Sequence, residues 1–156
     1  RLKEHTKRLL NSAKIVKLDV EYSVEDLEKA QIELLQKNDF NLNVYLRPII
    51  YIGYGKMGLY HIGAPVETAI AAWEWGAYLG DEGLEKGIRV KTSSITRNPV
   101  TATFGKAKAV ANYLNSQMAK FEAMESGYEE ALLLDSEGFV AEGSGECFFL
   151  VRDGKI

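Results

Sequence analysis

The residues GKAKAVANYLN at positions 105–115 and AEGSGE at positions 141–146 carry the chemistry around which the chain is organised. The first stretch holds Lys106 and Lys108 among small residues and then Tyr113, and the second places Glu142 before Gly-Ser-Gly. A lysine that forms a Schiff base, a phenol and a carboxylate are the groups that an aldehyde cofactor such as pyridoxal phosphate requires of a protein. The pattern therefore predicts a cofactor site, provided that these side chains converge.

Each of these residues also has an ordinary interpretation. A lone lysine is most often a solvated surface group, and spacing alone does not choose between Lys106 and Lys108. On one straight helix, Lys108 and Tyr113 would point about 140° apart, so they can face one ligand only if Lys108 precedes the helix. The ordinary interpretation of Tyr113 is a core tyrosine, and that of Glu142 is an exposed acid in a turn. The Gly-Ser-Gly after Glu142 does not change this, because it is neither a P-loop nor a dinucleotide fingerprint.

Composition excludes several classes of function. The 156 residues suffice for one domain or two small lobes, and 46% hydrophobic and 26% charged residues are globular values. Nineteen basic against 22 acidic side chains, with no basic block, argue against nucleic acid or an anionic membrane surface as partner. A single cysteine, Cys147, and two histidines leave no internal disulfide and no zinc cluster. No apolar run approaches the roughly 20 residues of a membrane helix. We expect a cytoplasmic protein without a structural metal.

Hydrophobic periodicity and turn residues predict an α+β fold with helices packed on antiparallel strands. A helix is expected over 2–17, and Ser23 with Asp26 predicts a capping box for a second helix to about Gln36. A third helix is expected over 109–126, closed by Gly127. The predicted strands are 42–53, 66–75, 88–94, 130–135, 139–142 and 146–151, with a connector from Gly76 and a loop at 97–101.

The two ends of the sequence indicate a piece of a longer protein. The chain begins at Arg1 without a methionine or a signal-like apolar region. It stops just after Asp153-Gly154, which predicts a tight hairpin turn whose return strand has barely begun. We therefore expect an internal fragment.

Tyr45 and Arg47 are the other candidate binding residues. They are two apart on a predicted strand and therefore project from the same face, about 6.5 Å apart. Arginine is suited to a carboxylate, although a surface arginine on an edge strand is the ordinary interpretation. Pro48 lacks an N–H donor and predicts that this strand is at an edge or locally broken. Trp73 and Trp75 are interpreted as core or lobe-interface residues.

Taken together, the motifs resemble those of class IV pyridoxal-phosphate aminotransferases, and among them the branched-chain amino acid aminotransferases. The motifs, in order, lie at 4–14, 45–48, 75–80, 108–114 and 142–146. The resemblance implies a two-lobed fold, with a small N-terminal α/β lobe over 1–75 and a connector over 76–86. Residues 87–156 are then the first part of a larger, β-barrel-like C-terminal lobe.

The resemblance also implies a role for each cofactor residue. Lys108 matches the Schiff-base lysine, which also moves the proton at the substrate α-carbon, and it is selected over Lys106 by its spacing to Asn-Tyr-Leu and to Glu142. Glu142 matches the partner of the pyridine nitrogen. Tyr113 matches the phenol that binds the ring hydroxyl, and Arg8 matches the arginine that binds the phosphate.

On the substrate side, the resemblance implies that Tyr45 contacts the α-carboxylate and that Arg47 receives the side-chain carboxylate of glutamate. Trp75, Tyr78 and, from a neighbouring subunit, Leu59 match an apolar pocket for leucine, isoleucine and valine. The implied partners are amino acids and 2-oxo acids, in a cytoplasmic homodimer or larger oligomer active in amino-acid biosynthesis.

Two alternatives remain open within the family and one outside it. D-amino acid aminotransferases and aminodeoxychorismate lyases share the lysine and the glutamate but usually lack Tyr-x-Arg-Pro, which favours the branched-chain enzyme. The alternative of another class is a non-catalytic fragment that does not hold the cofactor by itself.

Overall fold

The computed structural model describes residues 1–41, 43–76 and 80–156, apart from the side chains of residues 80 and 81. The described residues up to 76, with Lys106–Lys108, form one compact unit. Residues 80–105 and 109–156 form a second. Lys108 therefore belongs with the first unit, although the resemblance places it in the lobe over 87–156.

The first unit packs two helices against a two-stranded antiparallel sheet. Its elements are α1 (Leu2–Ile15), α2 (Val24–Gln36), β1 (Val44–Ile52) and β2 (Val66–Glu74). The predicted capping box begins α2, since the Ser23 hydroxyl accepts from the Asp26 N–H and the Asp26 carboxylate accepts from the Ser23 N–H. The helices are joined by a buried pair in which Gln31 Nε2 donates to Thr6 Oγ1 at 3.1 Å.

The β1–β2 hairpin has two different faces. Alternate residues of β1 are half-buried or exposed, and α1 and α2 contact the sheet. Tyr45 pairs directly with Trp73 and Arg47 with Ala71, so these four side chains share the exposed face. Pro48 is accommodated because β1 has a single partner in this sheet, as predicted for an edge strand.

The second unit places a helix against a three-stranded sheet. Its elements are α3 (Gly80–Lys86), β3 (Val90–Thr92), α4 (Val100–Thr103), a 3₁₀ turn (Val110–Asn112), α5 (Tyr113–Glu125), β4 (Glu130–Leu134) and β5 (Val140–Gly143). The strand order is β3-β4-β5. Gly127, at φ +80°, ends α5 as predicted. The core joins Ala119 and Ala123 of α5 to Ala131 and Leu133 of β4.

Three expectations about the second unit are wrong. β3 pairs with β4 in parallel, because the chain between them includes α5, which returns it to the same end of the sheet. Residues 146–151 form no strand with any part of the described chain, because an apolar run also needs a neighbouring strand to pair with. Part of the loop predicted at 97–101 forms the short helix α4.

The final turn is the one predicted from Asp153-Gly154. Asp153 and Gly154 have φ values of +52° and +73°, and Arg152 and Lys155 exchange both backbone hydrogen bonds. These values identify the predicted hairpin turn, which requires positive φ at both central residues. Across the ranges that the structure describes, no helix combines the length and apolar character needed to cross a membrane.

Candidate functional site

The first group of candidate residues lies along α1. Arg8 and Ser12 are one helical turn apart and therefore share a face. The buried Ser12 hydroxyl accepts a hydrogen bond from the Lys108 backbone N–H at 3.0 Å. Ala107, beside Lys108, is also buried. The backbone of the candidate lysine is thus attached to the helix face that carries the candidate phosphate ligand.

Lys108 lies before the helical segment that carries Tyr113. Ala109 caps the 3₁₀ turn Val110–Asn112 in an extended conformation, and α5 begins directly after it at Tyr113. The condition set by helix geometry for Lys108 and Tyr113 is therefore met. The Tyr113 side chain is partly exposed, so it is not the buried core residue of the ordinary interpretation.

The second group is an aromatic cluster on the exposed face of the hairpin. The rings of Tyr45, Trp73 and Trp75 are all in contact, with centroid distances of 5.0 Å for Tyr45–Trp73, 4.8 Å for Tyr45–Trp75 and 5.6 Å for Trp73–Trp75. The guanidinium carbon of Arg47 lies 5.2 Å from the Tyr45 ring centroid and 5.3 Å from that of Trp73. Aromatic rings at these distances attract a guanidinium by cation–π interaction without using its N–H groups.

Arg47 has a charge that the described chain does not neutralise. No carboxylate in the described ranges forms an ion pair with it. A planar cation beside an apolar aromatic surface can bind a carboxylate or pack against an alkyl chain. Leu59 is fully exposed in the loop after β1. Tyr78, the remaining pocket candidate, lies outside the described residues.

The third group surrounds Glu142 in the second unit. Glu142 pairs directly with Leu133 on β4, so both side chains lie on the sheet face that packs against α5. Next to this pair, Leu134 is opposite Val140, which leaves Ala141 as the extra residue of a β-bulge. Bulges redirect side chains and are frequent beside active sites. Glu142 is half-buried rather than the exposed turn acid of the ordinary interpretation.

Arg97 forms an ion pair with Glu142 through Nε and Oε1. The same guanidinium donates from Nη1 to Asn115 Oδ1 at 3.2 Å, and the Arg97 N–H donates to Leu134 O at 2.7 Å. Asn115 follows Tyr113 by two residues on α5 and binds Thr96 O through Nδ2 at 2.8 Å. Arg97 therefore links the strand that carries Glu142 to the start of the helix that carries Tyr113.

The Gly-Ser-Gly turn after Glu142 is not a phosphate cradle. Glu130 Oε1 accepts from the Ser144 N–H at 3.3 Å, and Glu146 Oε2 accepts from the Gly145 N–H at 3.2 Å. A cradle would need these N–H groups for the anion. The protein's own carboxylates occupy them instead, so the turn serves to fix the end of β5.

The two glutamates under this turn interact with each other. Lys120 Nζ lies 2.9 Å from Glu130 Oε2, and Glu146 Oε1 is buried without a donor among the described residues. Burial and the charge of Glu130 raise the pKa of Glu146. The pKa of Glu130 is lowered despite its burial, because the Ser144 and Ala131 N–H groups and Lys120 donate to it. A protonated Glu146 would carry an O–H donor that its ionised form lacks.

Four of the residues in these groups were not predicted as site residues from the sequence: Ser12, Trp73, Arg97 and Asn115. Trp73 could have been found from the hairpin register, because it is opposite Tyr45. Ser12 lies one turn after Arg8, which was a usable signal. Arg97 and Asn115 carry no local signal, because their roles arise only when the 96–98 loop meets α5.

The comparisons with known proteins cover the whole chain. The family described as amino-transferase class IV matches residues 1–156. The branched-chain-amino-acid aminotransferase of Pseudomonas aeruginosa is 44% identical over 156 residues, which are 100% of this chain and 50% of that protein.

Two solved structures are similar throughout the chain. The branched-chain aminotransferase of Thermoproteus uzoniensis with norvaline has a TM-score of 0.91 and 44% identity, over 99% of this chain and 50% of that one. The T.th. branched-chain amino acid aminotransferase complexed with N-(5'-phosphopyridoxyl)-L-glutamate has a TM-score of 0.90 and 45% identity, over 99% and 49%. The chain thus spans about half the length of the relatives it matches.

Ser12→Ala should loosen the attachment of Lys108 to α1. The variant removes the acceptor of the Lys108 N–H. We expect a loss of about 1 kcal/mol in the free energy of unfolding of the natural-length protein, by which we mean the protein that carries this chain. Hydrogen–deuterium exchange should show faster exchange of the Lys108 amide. Ser136→Ala, in an exposed turn, is the matched control and should change neither quantity. Unchanged exchange at Lys108 in Ser12→Ala would contradict the attachment.

Glu146→Gln should change how stability depends on pH. Because the native pKa of Glu146 is raised, its protonated form favours folding most below about pH 4.5, and this contribution is lost as pH rises through the native pKa. The amide keeps a donor for Glu130 without titrating. The stability of the variant relative to the unsubstituted protein should therefore increase as pH rises from 4.5.

Denaturant unfolding at several pH values measures this difference. Glu137→Gln, in the exposed turn before β5, is the control and should show no such trend. A stability difference that does not vary with pH would refute the raised pKa of Glu146.

Proposed function

The chain belongs to the class IV aminotransferase family, and from this premise we propose that the protein carrying it is a branched-chain amino acid aminotransferase. It would transfer the amino group between leucine, isoleucine or valine and 2-oxoglutarate. The observation that carries the proposal is Arg47, held over Tyr45 and Trp73 and without an ion-pair partner in the described ranges. An apolar aromatic surface with one guanidinium suits a reaction that alternates between an alkyl side chain and a carboxylate.

The residues present fit pyridoxal phosphate as the cofactor. The chain offers an amine at Lys108, a guanidinium at Arg8 and a phenol at Tyr113. It also offers a carboxylate at Glu142 that already accepts from one guanidinium and has a second oxygen. When bound, this cofactor supplies an electron sink for a carbanion at the substrate α-carbon.

Each residue has a defined task in this proposal. Lys108 attaches the cofactor and then removes and returns the proton at the substrate α-carbon. Glu142 accepts the hydrogen bond of the protonated ring nitrogen, Tyr113 binds the ring hydroxyl oxygen, and Arg8 binds the phosphate bidentately. The hydrogen bond from Lys108 to Ser12 limits the movement of the lysine backbone while its side chain acts.

The substrate residues divide between two functions. Tyr45 binds the α-carboxylate, and Arg47 binds the side-chain carboxylate of glutamate or 2-oxoglutarate. Trp75 forms part of the apolar wall, with Tyr78 and a neighbouring subunit's Leu59 as further proposed members. The T.th. relative was solved with a phosphopyridoxyl-glutamate adduct and the Thermoproteus relative with norvaline, which supports both substrate classes.

The remaining expectations stand as parts of the same proposal. A cytoplasmic homodimer or larger oligomer, acting in amino-acid biosynthesis, completes the proposal. The names of the relatives favour branched-chain substrates over D-amino acids or aminodeoxychorismate. Amino-donor profiling of the natural-length protein with L-leucine, D-alanine and aminodeoxychorismate separates the three activities.

Lys108→Ala should abolish covalent attachment of the cofactor. After incubation of the natural-length protein with pyridoxal phosphate and reduction with borohydride, peptide mapping should find the label on Lys108 and none in the variant. Lys106→Ala is the matched control and should keep the label. A label on another lysine in Lys108→Ala, with the cofactor absorbance retained after washing, would overturn the assignment.

Arg47→Gln should separate the two substrate classes. The loss of a charge-assisted pair should lower kcat/KM for 2-oxoglutarate by roughly 10- to 100-fold and that for 4-methyl-2-oxopentanoate by less than about threefold. Arg152→Gln, at an exposed position, serves as control. Equal losses for the two 2-oxo acids would show that Arg47 does not bind the second carboxylate.

A further inference from the structure

Arg97 is the cation that contacts Glu142, and the proposed mechanism gives it no task. Its Nε binds Glu142 Oε1, so one of the two carboxylate oxygens is fixed by the protein. In the described part of the chain, Glu142 Oε2 has no such partner. A carboxylate that is held at one oxygen has its other oxygen in a defined direction. A carboxylate whose side-chain bonds rotate freely does not.

The guanidinium is itself held on its other side. Asn115 Oδ1 accepts from Arg97 Nη1 and from the Asn98 N–H, both at 3.2 Å, and Asn115 Nδ2 donates to Thr96 O at 2.8 Å. The Arg97 side chain is 25% exposed and that of Glu142 is 37% exposed. The pair is therefore more enclosed than a typical surface ion pair, which contributes little.

A comparison within the same unit shows what is particular about this pair. Arg89 and Glu129 also form an arginine–glutamate pair, but their side chains are 70% and 41% exposed. The other side chain beside the Arg89 guanidinium is the Tyr128 ring, whose centroid is 6.0 Å away, and among the described residues no second side chain accepts a hydrogen bond from Arg89 as Asn115 does from Arg97. The Arg97 fork instead joins a strand residue beside a β-bulge to the first turn of α5. Because the Arg97 guanidinium is bound on two sides, its orientation is fixed and not only the position of its charge.

We propose that Arg97 is a positioning residue for cofactor binding, in which its guanidinium, braced by Asn115, orients the Glu142 carboxylate toward the ring nitrogen of the cofactor. This inference rests on the proposed function, because Glu142 needs a ring nitrogen to act on. Arg97 does not touch the cofactor and acts only through Glu142.

A residue that acts through another loses its effect when the other is removed, so a double-mutant cycle tests the proposal. The probe is pyridoxal 5'-phosphate alone, titrated into the natural-length apoprotein. Arg97→Gln should raise its dissociation constant about tenfold when Glu142 is present, and by less than about twofold in the Glu142→Gln background. Arg97→Lys, which keeps the charge but loses the fork, should give an intermediate value.

The absorption band of the bound cofactor is the second readout. Arg97→Gln should shift this band in the same direction as Glu142→Gln, which a loss of general stability would not do. Arg89→Gln is the matched control, since it breaks the other arginine–glutamate pair of the unit, and it should change neither readout. If Arg97→Gln does not fold, the cycle is carried out with Arg97→Lys, whose smaller loss of affinity should likewise disappear in the Glu142→Gln background.

The outcomes are distinct. Equal losses of affinity in the two Glu142 backgrounds, or no loss in either, would overturn the role of Arg97 and leave the proposed function in place. If the unsubstituted natural-length protein does not bind pyridoxal 5'-phosphate, the proposed function fails and this inference fails with it.

Discussion

Ala119 and Ala123 on α5 pack against Ala131 and Leu133 on β4, and the rest of the second unit is arranged around this contact. Small side chains on the helix allow it to lie close to the strand, and each of these four residues is fully buried. The crossover through α5 is also what makes β3 and β4 parallel. The helix therefore determines both the order of the sheet and the face on which its candidate residues lie.

The site residues follow from that packing. Glu142 is opposite Leu133 and so shares the helix-facing side of the sheet, while Tyr113 begins the helix itself. Arg97 joins the two elements by polar contacts where the apolar contact ends. In the first unit, the Ser12 hydroxyl holds the backbone N–H of Lys108, much as Arg97 holds the Glu142 carboxylate in the second unit. In both units a candidate site residue is held by a polar contact with a neighbouring side chain.

Local rules accounted for the elements that depend on local interactions. Ser23 with Asp26, Gly127 and Asp153-Gly154 each specify a cap or a turn through their own backbone requirements, and all three appear as expected. Tertiary pairing was not accessible in this way. The strand expected over 146–151 needs a partner that its own sequence does not encode, and the parallel β3–β4 pair depends on where α5 returns the chain. For the same reason, motif order indicated Lys108 and Glu142 but gave no sign of Arg97 or Asn115.

Under the proposed function, the contact of Arg47 with the rings of Tyr45 and Trp73 has a consequence, because the site would receive chemically unlike side chains in turn. A guanidinium with only a bound carboxylate as partner would be left uncompensated whenever an alkyl group replaced that carboxylate. The two ring faces provide a resting position with its own electrostatic attraction, so the charge is accommodated in either case. One residue can then serve alternating occupants, and the strand does not have to rearrange between them.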